Sequence, residues 1–358
     1  MFFDGTGNNA ANSAMGLACG AHHAIKPQDL AASCKPYMSD PDSSYGNDVS
    51  NVEKLSRLYY EGNDGDETGK LSTRMVYVEG IGTTAGAKDN VLGMATGRGE
   101  TGIAGRVQQS FDLIERAISN ILKDNPGSEI TSLTFDAFGF SRGAAAARHF
   151  ANEVALGQRG PLRAILTRYE RELSRTFLDY YNSDIRMGFI GLFDTVASVG
   201  GFANWWNVQS PITPGVRLLL PRALFSDLVH LVARDEHRAN FALNRVSPDH
   251  PEITLPGVHS NIGGGYRAEA QERVLVGVMQ GVTVPKGSNV RRTDIYAEAL
   301  VKKAKLVIKG WPEEMLEVVT PMPLPLKTGK NDPEQERVFA GLQLQRQIDR
   351  TEAAIRPE

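Results

Sequence analysis

The sequence predicts an α/β fold: a mostly parallel sheet with helices on both faces and long loop insertions. Ile130–Phe138 reads as a continuous strand-like run, and Ile185–Phe193, mostly apolar, as a second, buried strand. Around them lie stretches with the three- and four-residue recurrence of amphipathic helices. Glycine-rich loops follow the strands, and the 36 glycines exceed the usual share of roughly 7%.

The elements follow in order. Met1-Phe2-Phe3 reads as a short apolar strand that stops at Asp4-Gly5-Thr6-Gly7-Asn8-Asn9. Residues 10–51 are rich in Ala, Gly, Ser, Asp and Pro, lack periodicity, and read as a long excursion, which when ordered usually serves function. Val52, Leu55, Leu58 and Tyr59 space a helix over 51–61. Arg74–Val78 is a short strand running into the glycine loop Glu79–Gly86, and a second glycine-rich stretch spans Gly93–Gly105. Ile103, Val107, Phe111, Ile114, Ile118 and Leu122 mark a helix closed by Asp124-Asn125-Pro126-Gly127. Ser141–Leu156, Leu162–Tyr181 and Ala223–Phe241 read as helices, Pro211–Arg222 as a loop or crossover, and Ile253–Leu255 as a short strand. Beyond Tyr266 the pattern weakens: Ala297–Ile308 suggests a helix, Thr320–Pro333 an extended segment, and Pro333–Glu358 a charged helix. Strands separated by helices of this length imply a parallel sheet.

Composition removes several classes of function. With 41% hydrophobic and 23% charged residues the chain is globular. A net charge of -3 gives no global attraction to nucleic acid, and no nucleic-acid partner is expected. Two cysteines, Cys19 and Cys34, exclude a disulfide-built scaffold. No run approaches the roughly 18 apolar residues of a membrane span, and the start lacks the basic-then-apolar order of a secretory signal, so synthesis in the cytoplasm is expected. His22-His23 with the two cysteines match no structural zinc spacing, and neither glycine loop ends in the Gly-Lys-Ser/Thr of a phosphate-binding loop; no metal and no cofactor is expected.

The chemistry concentrates in Gly139-Phe140-Ser141-Arg142-Gly143, a G-x-S-x-G pattern between a strand and an Ala-rich helix. A nucleophilic serine on a sharp strand-to-helix turn needs flanking residues without bulk, and the helix start adds partial positive charge near an oxyanion. Arg142 N–H would be one oxyanion donor. Gly5 and Thr6 in Asp4-Gly5-Thr6-Gly7 fit the second, with Gly80-Ile81-Gly82 as the competing loop. The base needs an orienting acid, in the chain order serine, acid, histidine. Of His149, His230, His237, His250 and His259, only His259 sits in a glycine loop directly after a strand; His230 and His237 fall in the helical pattern. Asp194, at the end of the buried strand, is the acid in the expected place, and Asp227 and Asp235 are alternatives within helix. Phe202, Trp205 and Trp206 would suit a membrane-facing mouth or a plain core.

Six motifs stand in a telling order: FFDGTGNN at the start, YVEGIGT at 77–83, FGFSRGA at 138–144, GLFDTV at 191–196, RDEHRANF at 234–241 and PGVHSNIGGGY at 256–266. Together they resemble the catalytic domain of bacterial type VI secretion phospholipase effectors of the first lipase-effector class, an α/β-hydrolase family. The resemblance covers about Phe2 to Tyr266. It implies a catalytic domain over 1–266 with an insertion at about 10–51, and an extension over 267–358 packing on or completing it. It implies phospholipase A chemistry on acyl esters of membrane glycerophospholipids by Ser141, Asp194 and His259, used as an antibacterial toxin. The partners implied are a phospholipid membrane, a secretion spike or chaperone component, and a cognate immunity protein. Export by the type VI machine to a target cell's periplasm follows, where Cys19 and Cys34 would pair. Asp235, Glu236 and Arg238 fall on an Asp-Glu-x-Arg motif expected to brace the His259 loop. Asn261 stands where the family generally has Asp. An esterase or thioesterase on soluble esters, and an idle hydrolase fold used for binding, are the competing readings.

Overall fold

The computed structural model describes residues 1–23, 25–66, 69–90, 99–197, 215–236, 238, 241–265, 269–276, 279–326 and 334–349. Phe202, Trp205, Trp206 and His237 lie outside them. The chain divides into two compact units: Met1–Val199 with Pro211–Asp235 and Leu243–Tyr266, and Gly200–Ser210 with Glu236–Ala242 and Arg267–Glu358.

The first unit is built on a six-stranded, all-parallel sheet. Its strands in chain order are β1 (Phe2–Phe3), β4 (Tyr77–Val78), β5 (Leu133–Phe140), β6 (Ile185–Phe193), β7 (Leu228–Ala233) and β8 (Glu252–Leu255). The spatial order is β4-β1-β5-β6-β7-β8. A separate hairpin joins β2 (Gly62–Asp66) to β3 (Gly69–Thr73). The helices are α1 (Ala10–Ala18), α2 (Asn51–Leu58), α3 (Ile103–Asp124), α4 (Arg142–Val154), α5 (Leu162–Arg168) and the short α6 (His259–Gly263).

Strand alternation sorts the side chains between two faces. Phe3 packs in the main core with Ile103, Val107 and Phe111 of α3 and Ala144–Ala147 and Phe150 of α4. Its neighbour Phe2 points the other way and packs with Val52 of α2, Phe140 and Phe138. Two adjacent phenylalanines thus commit β1 to covering layers on both sides, as the fold class requires. The four alanines at the start of α4 are fully buried and let that helix lie close on the strands.

Four readings of the sequence change. Within the predicted helix 223–241, Leu228–Ala233 form β7. Phe225, Leu228, Val229 and Val232 mimic a helical stripe, but Leu228, His230 and Val232 are buried alternately, and a short apolar run cannot be assigned by period alone. Asp227 and Asp235 therefore flank a strand. The helix from Leu162 stops at Arg168, and the chain beyond it makes an isolated bridge to Ile130, whose N donates to Glu172 O and whose O accepts from Ser174 N. Residues 10–51 carry α1, started by Asn9, whose side chain accepts from the N–H groups of Ala11 and Asn12. The Cys19–Cys34 disulfide closes a small core with Met38 and Tyr45 there.

The fourth change is in the second unit. The described part of the tail is a strand and not a helix: β13 (Gln335–Asp349) pairs antiparallel with β9 (Glu269–Leu275), β10 (Gln280–Pro285), β11 (Leu316–Val319) and β12 (Leu324–Pro325). Leu342 and Leu344 alternate with glutamines and are buried with Leu316, while Leu306 and Val307 of α7 (Asp294–Ile308) pack against them. Of the charges that suggested a solvated helix, Glu336 and Arg337 are adjacent on β13 and half-buried, just before the buried run from Val338 to Leu342.

Candidate active site

Parallel strands bring their carboxyl ends to one edge, where α/β sheets place their sites. Ser141 lies at the end of β5, Asp194 at the end of β6, and His259 in the first turn after β8. Ser141 has φ 57° and ψ -124°, a conformation that costs a residue with a Cβ about 1–3 kcal/mol. The glycines on either side make the turn feasible. A Cβ at Gly139 would lie 2.4 Å from Gly143 O, and one at Gly143 would lie 2.2 Å from Phe3 O. The turn is held in register by Ser141 N donating to Phe193 O at 3.0 Å and by Ser141 O accepting from Val196 N at 3.3 Å. Those two bonds straddle Asp194.

Asp194 also has a left-handed φ, 42°. Its Oδ2 is 2.6 Å from His259 Nδ1, both side chains being 3% exposed. Its Oδ1 accepts from Ala233 N at 2.8 Å, and its own N–H donates to Leu231 O at 2.8 Å. A buried carboxylate bonded to Nδ1 leaves Nε2 as the nitrogen available to a substrate-side proton. The His259 ring stacks at 4.6 Å on Phe140, the residue before Ser141.

Of the three residues expected at the oxyanion hole, Arg142 is the first residue of α4, where the helix dipole is positive. Its guanidinium reaches Thr6 Oγ1 at 3.4 Å, and burial lowers its pKa to about 10. Gly5 N–H is committed to Asp4 Oδ1 at 2.7 Å, which leaves Thr6 as the better donor of the pair. Asp4 is buried, which raises its pKa to about 6, and it accepts from Tyr77 Oη at 2.5 Å. Tyr77 belongs to the second motif, so the first two motifs are one hydrogen-bonded unit.

The His259 loop is braced from two directions. Asp235 Oδ2 accepts from Gly257 N at 2.9 Å, as expected of the first member of its motif. Glu236 and Arg238 form an ion pair with each other at 2.7 Å within the second unit. Asn261 Oδ1 accepts from Val258 N at 2.9 Å, capping α6 with the carbonyl oxygen that Asn shares in shape with Asp. The insertion supplies the other brace: Asn51 Nδ2 donates to Ile262 O at 2.8 Å and Asp48 N to Gly265 O at 3.2 Å, while Asn47 Nδ2 donates to Gly7 O at 2.8 Å. No spacing in residues 10–51 signals this tie between the Asp4–Gly7 loop and the His259 loop. Three other histidines are engaged elsewhere: His149 with Arg217 N, His250 with Leu220 O, His22 with Tyr45 O. Among the described residues no group of His, Cys, Asp and Glu could hold a metal, and no helix is long and apolar enough to cross a membrane.

Residues 158–281 match the family model of the Tle1-like phospholipase effector catalytic domain of type VI secretion. The solved structure of the Tle1 effector bound to the VgrG spike of the type 6 secretion system is similar over 96% of this chain and 68% of that one, at 28% identity and a TM-score of 0.56. An uncharacterized protein from Pseudomonas aeruginosa aligns over 74% of this chain and 41% of its own, at 21% identity and a TM-score of 0.35, too weak a likeness to argue from. No curated protein sequence matches. In sequence over residues 158–281 and in fold over most of its length, the chain is similar to the Tle1-like type VI secretion phospholipase effectors, the class its six motifs resemble.

Proposed function

We propose that the chain is a serine hydrolase of the phospholipase A type that cleaves acyl esters of membrane glycerophospholipids as an antibacterial toxin. The observation that carries the reading is the buried 2.6 Å contact of Asp194 with His259 at the strand edge where Ser141 forms a strained elbow. His259 Nε2 takes the Ser141 proton as Oγ attacks the ester carbonyl carbon. The carbonyl oxygen becomes an oxyanion facing Arg142 N–H and Thr6 N–H, each worth roughly 3–4 kcal/mol in the transition state. His259 returns the proton to the leaving glycerol oxygen, the C–O bond breaks, and an acyl-Ser141 ester remains. Water, deprotonated by His259, then attacks the acyl carbon; fatty acid leaves and Ser141 regains its proton. Asp194 stabilises the imidazolium formed in both halves.

The membrane is the proposed substrate, with Phe202, Trp205 and Trp206 the proposed lipid-facing residues. Delivery by a spike component is proposed by analogy with Tle1 on VgrG. The Cys19–Cys34 disulfide supports an oxidising destination such as a target periplasm, where an immunity protein would be needed. The test is mass spectrometry of products from vesicles of defined glycerophospholipids, with Ser141→Ala as control. Release of fatty acid and lysophospholipid by wild type alone is expected. Hydrolysis of short-chain soluble esters with intact vesicles would overturn the phospholipase reading. Failure of a folded wild-type protein to react with a fluorophosphonate would overturn serine catalysis.

A further inference from the structure

His230 is fully buried in β7, and no step of the proposed reaction uses it. An imidazole so buried needs partners for both ring nitrogens. Thr195 N lies 3.0 Å from Nε2, and Glu252 Oε1 lies 3.3 Å from Nδ1. A backbone amide can only donate, so Nε2 is the unprotonated nitrogen and the ring proton sits on Nδ1, facing Glu252. Glu252 also accepts from Val246 N at 2.8 Å and Arg245 Nη1 at 2.6 Å. The tautomer is therefore set from behind the ring.

The amide that His230 holds follows the proposed catalytic acid directly. Asp194 is in a left-handed conformation, which persists only when its surroundings over-determine it. Leu231 O and Ala233 N grip Asp194 through main-chain atoms of β7 that any side chain would provide. Two amides of this turn donate to side chains, Ala197 N to Asn244 Oδ1 at 2.7 Å and Thr195 N to His230 Nε2, and of these the Thr195 amide directly adjoins Asp194. We propose that His230 is a positioning residue for the acid: by accepting the Thr195 N–H it fixes the peptide after Asp194 and aims Oδ2 at His259 Nδ1. The inference rests on the reading of Asp194 as the triad acid. Burial, aided by the Arg148 charge and opposed by Glu252 and Asp194, lowers the His230 pKa to about 4, so the ring stays an acceptor near neutral pH.

The experiment compares His230→Leu, which removes the acceptor, with His230→Gln, whose Oε1 can replace it. Turnover on glycerophospholipid vesicles is normalised to fluorophosphonate-titrated sites, and the low-field proton NMR signal of the His259–Asp194 hydrogen bond is recorded. For His230→Leu the expected result is a kcat loss of about 10- to 100-fold at unchanged KM, as for a small misplacement of a catalytic group. Its acid limb should move to lower pH, because His259 loses part of its carboxylate partner, and the low-field signal should fade. His230→Gln should recover both. A folded His230→Leu variant with the wild-type signal, pH profile and kcat would overturn the proposal. The NMR signal is read without turnover, so a wild type inert on lipid whose signal still depends on His230 would sink the lipase reading and leave this one standing.

Discussion

Asp194 Oδ2 and His259 Nδ1 stand 2.6 Å apart across 65 residues of chain, and the elements between them explain why. β6 and β7 pair in parallel, as do β7 and β8, so the residues just past β6 and β8 reach the same edge from either side of β7. β7 then bonds the Asp194 turn through Leu231 and Ala233, and Asp235 at its end bonds the His259 loop. One central strand thus spaces Asp194 from His259.

Asp194→Asn keeps the size of the side chain but offers His259 an amide in place of the carboxylate. The wrong tautomer is then favoured, and kcat should fall by about 10⁴, the loss known for the equivalent change in a serine protease. Steady-state kinetics on vesicles measure it; a loss below tenfold would remove Asp194 from the triad.

Ser141→Ala should abolish turnover while leaving the melting temperature unchanged or slightly raised. The Oγ is dispensable to packing, and stability relief is expected in a residue chosen for chemistry. Retention of half the wild-type rate would refute the nucleophile.

Gly143→Ala drives a methyl to 2.2 Å from Phe3 O and 2.3 Å from Asp4 O, both main-chain atoms. The cost should be about 1–3 kcal/mol, with a larger loss of activity because the Asp4–Gly7 loop is what must move. Thermal denaturation and kinetics on the same preparation would show it, and an unshifted melting temperature would count against the close packing of β1 on α4.

Asp4 and His230 give opposite pH slopes. Asp4 titrates at about 6 when folded, above its ordinary 3.8, so the folded state holds its extra proton between those values and stability falls as pH rises through that window. His230 titrates at about 4 when folded, below its ordinary 6.5, so stability rises with pH from about 4 to 6.5. Each contribution is about 3 kcal/mol and the two largely offset. Chemical denaturation from pH 4 to 6.5 should find Asp4→Asn gaining stability with pH relative to wild type, and His230→Leu losing it. Parallel curves for all three proteins would contradict both assignments.

The Cys19–Cys34 disulfide closes a loop of sequence separation 15, and its removal in Cys19→Ser/Cys34→Ser should cost about 3 kcal/mol by chain entropy. Because the insertion bonds to Gly7, Ile262 and Gly265, activity should fall as well. Urea unfolding and vesicle turnover of the double variant test both, and unchanged values would show that the insertion braces the site without its staple.

Much of this architecture was legible in the residues themselves. The strand-like runs at 130–138 and 185–193, the stripe from Ile103 to Leu122, and the glycine-bracketed Ser141 are local patterns, and local patterns survive folding because each depends on backbone period or turn sterics alone. The order of Ser141, Asp194 and His259 along the chain, with each after a strand, was likewise a property of the sequence. Tertiary structure decided what depended on partners. Residues 228–233 and 335–349 became strands because neighbouring strands satisfied their backbone, burying alternate side chains of β7 and the consecutive run Val338–Leu342 of β13, which a one-dimensional period could not assign. The bracing of the His259 loop by Asn47–Asn51, and the contact of His230 with the amide after Asp194, join atoms far apart in sequence. Such bonds carry no local signature, since a hydrogen bond fixes the distance between two groups only once the chain has brought them together.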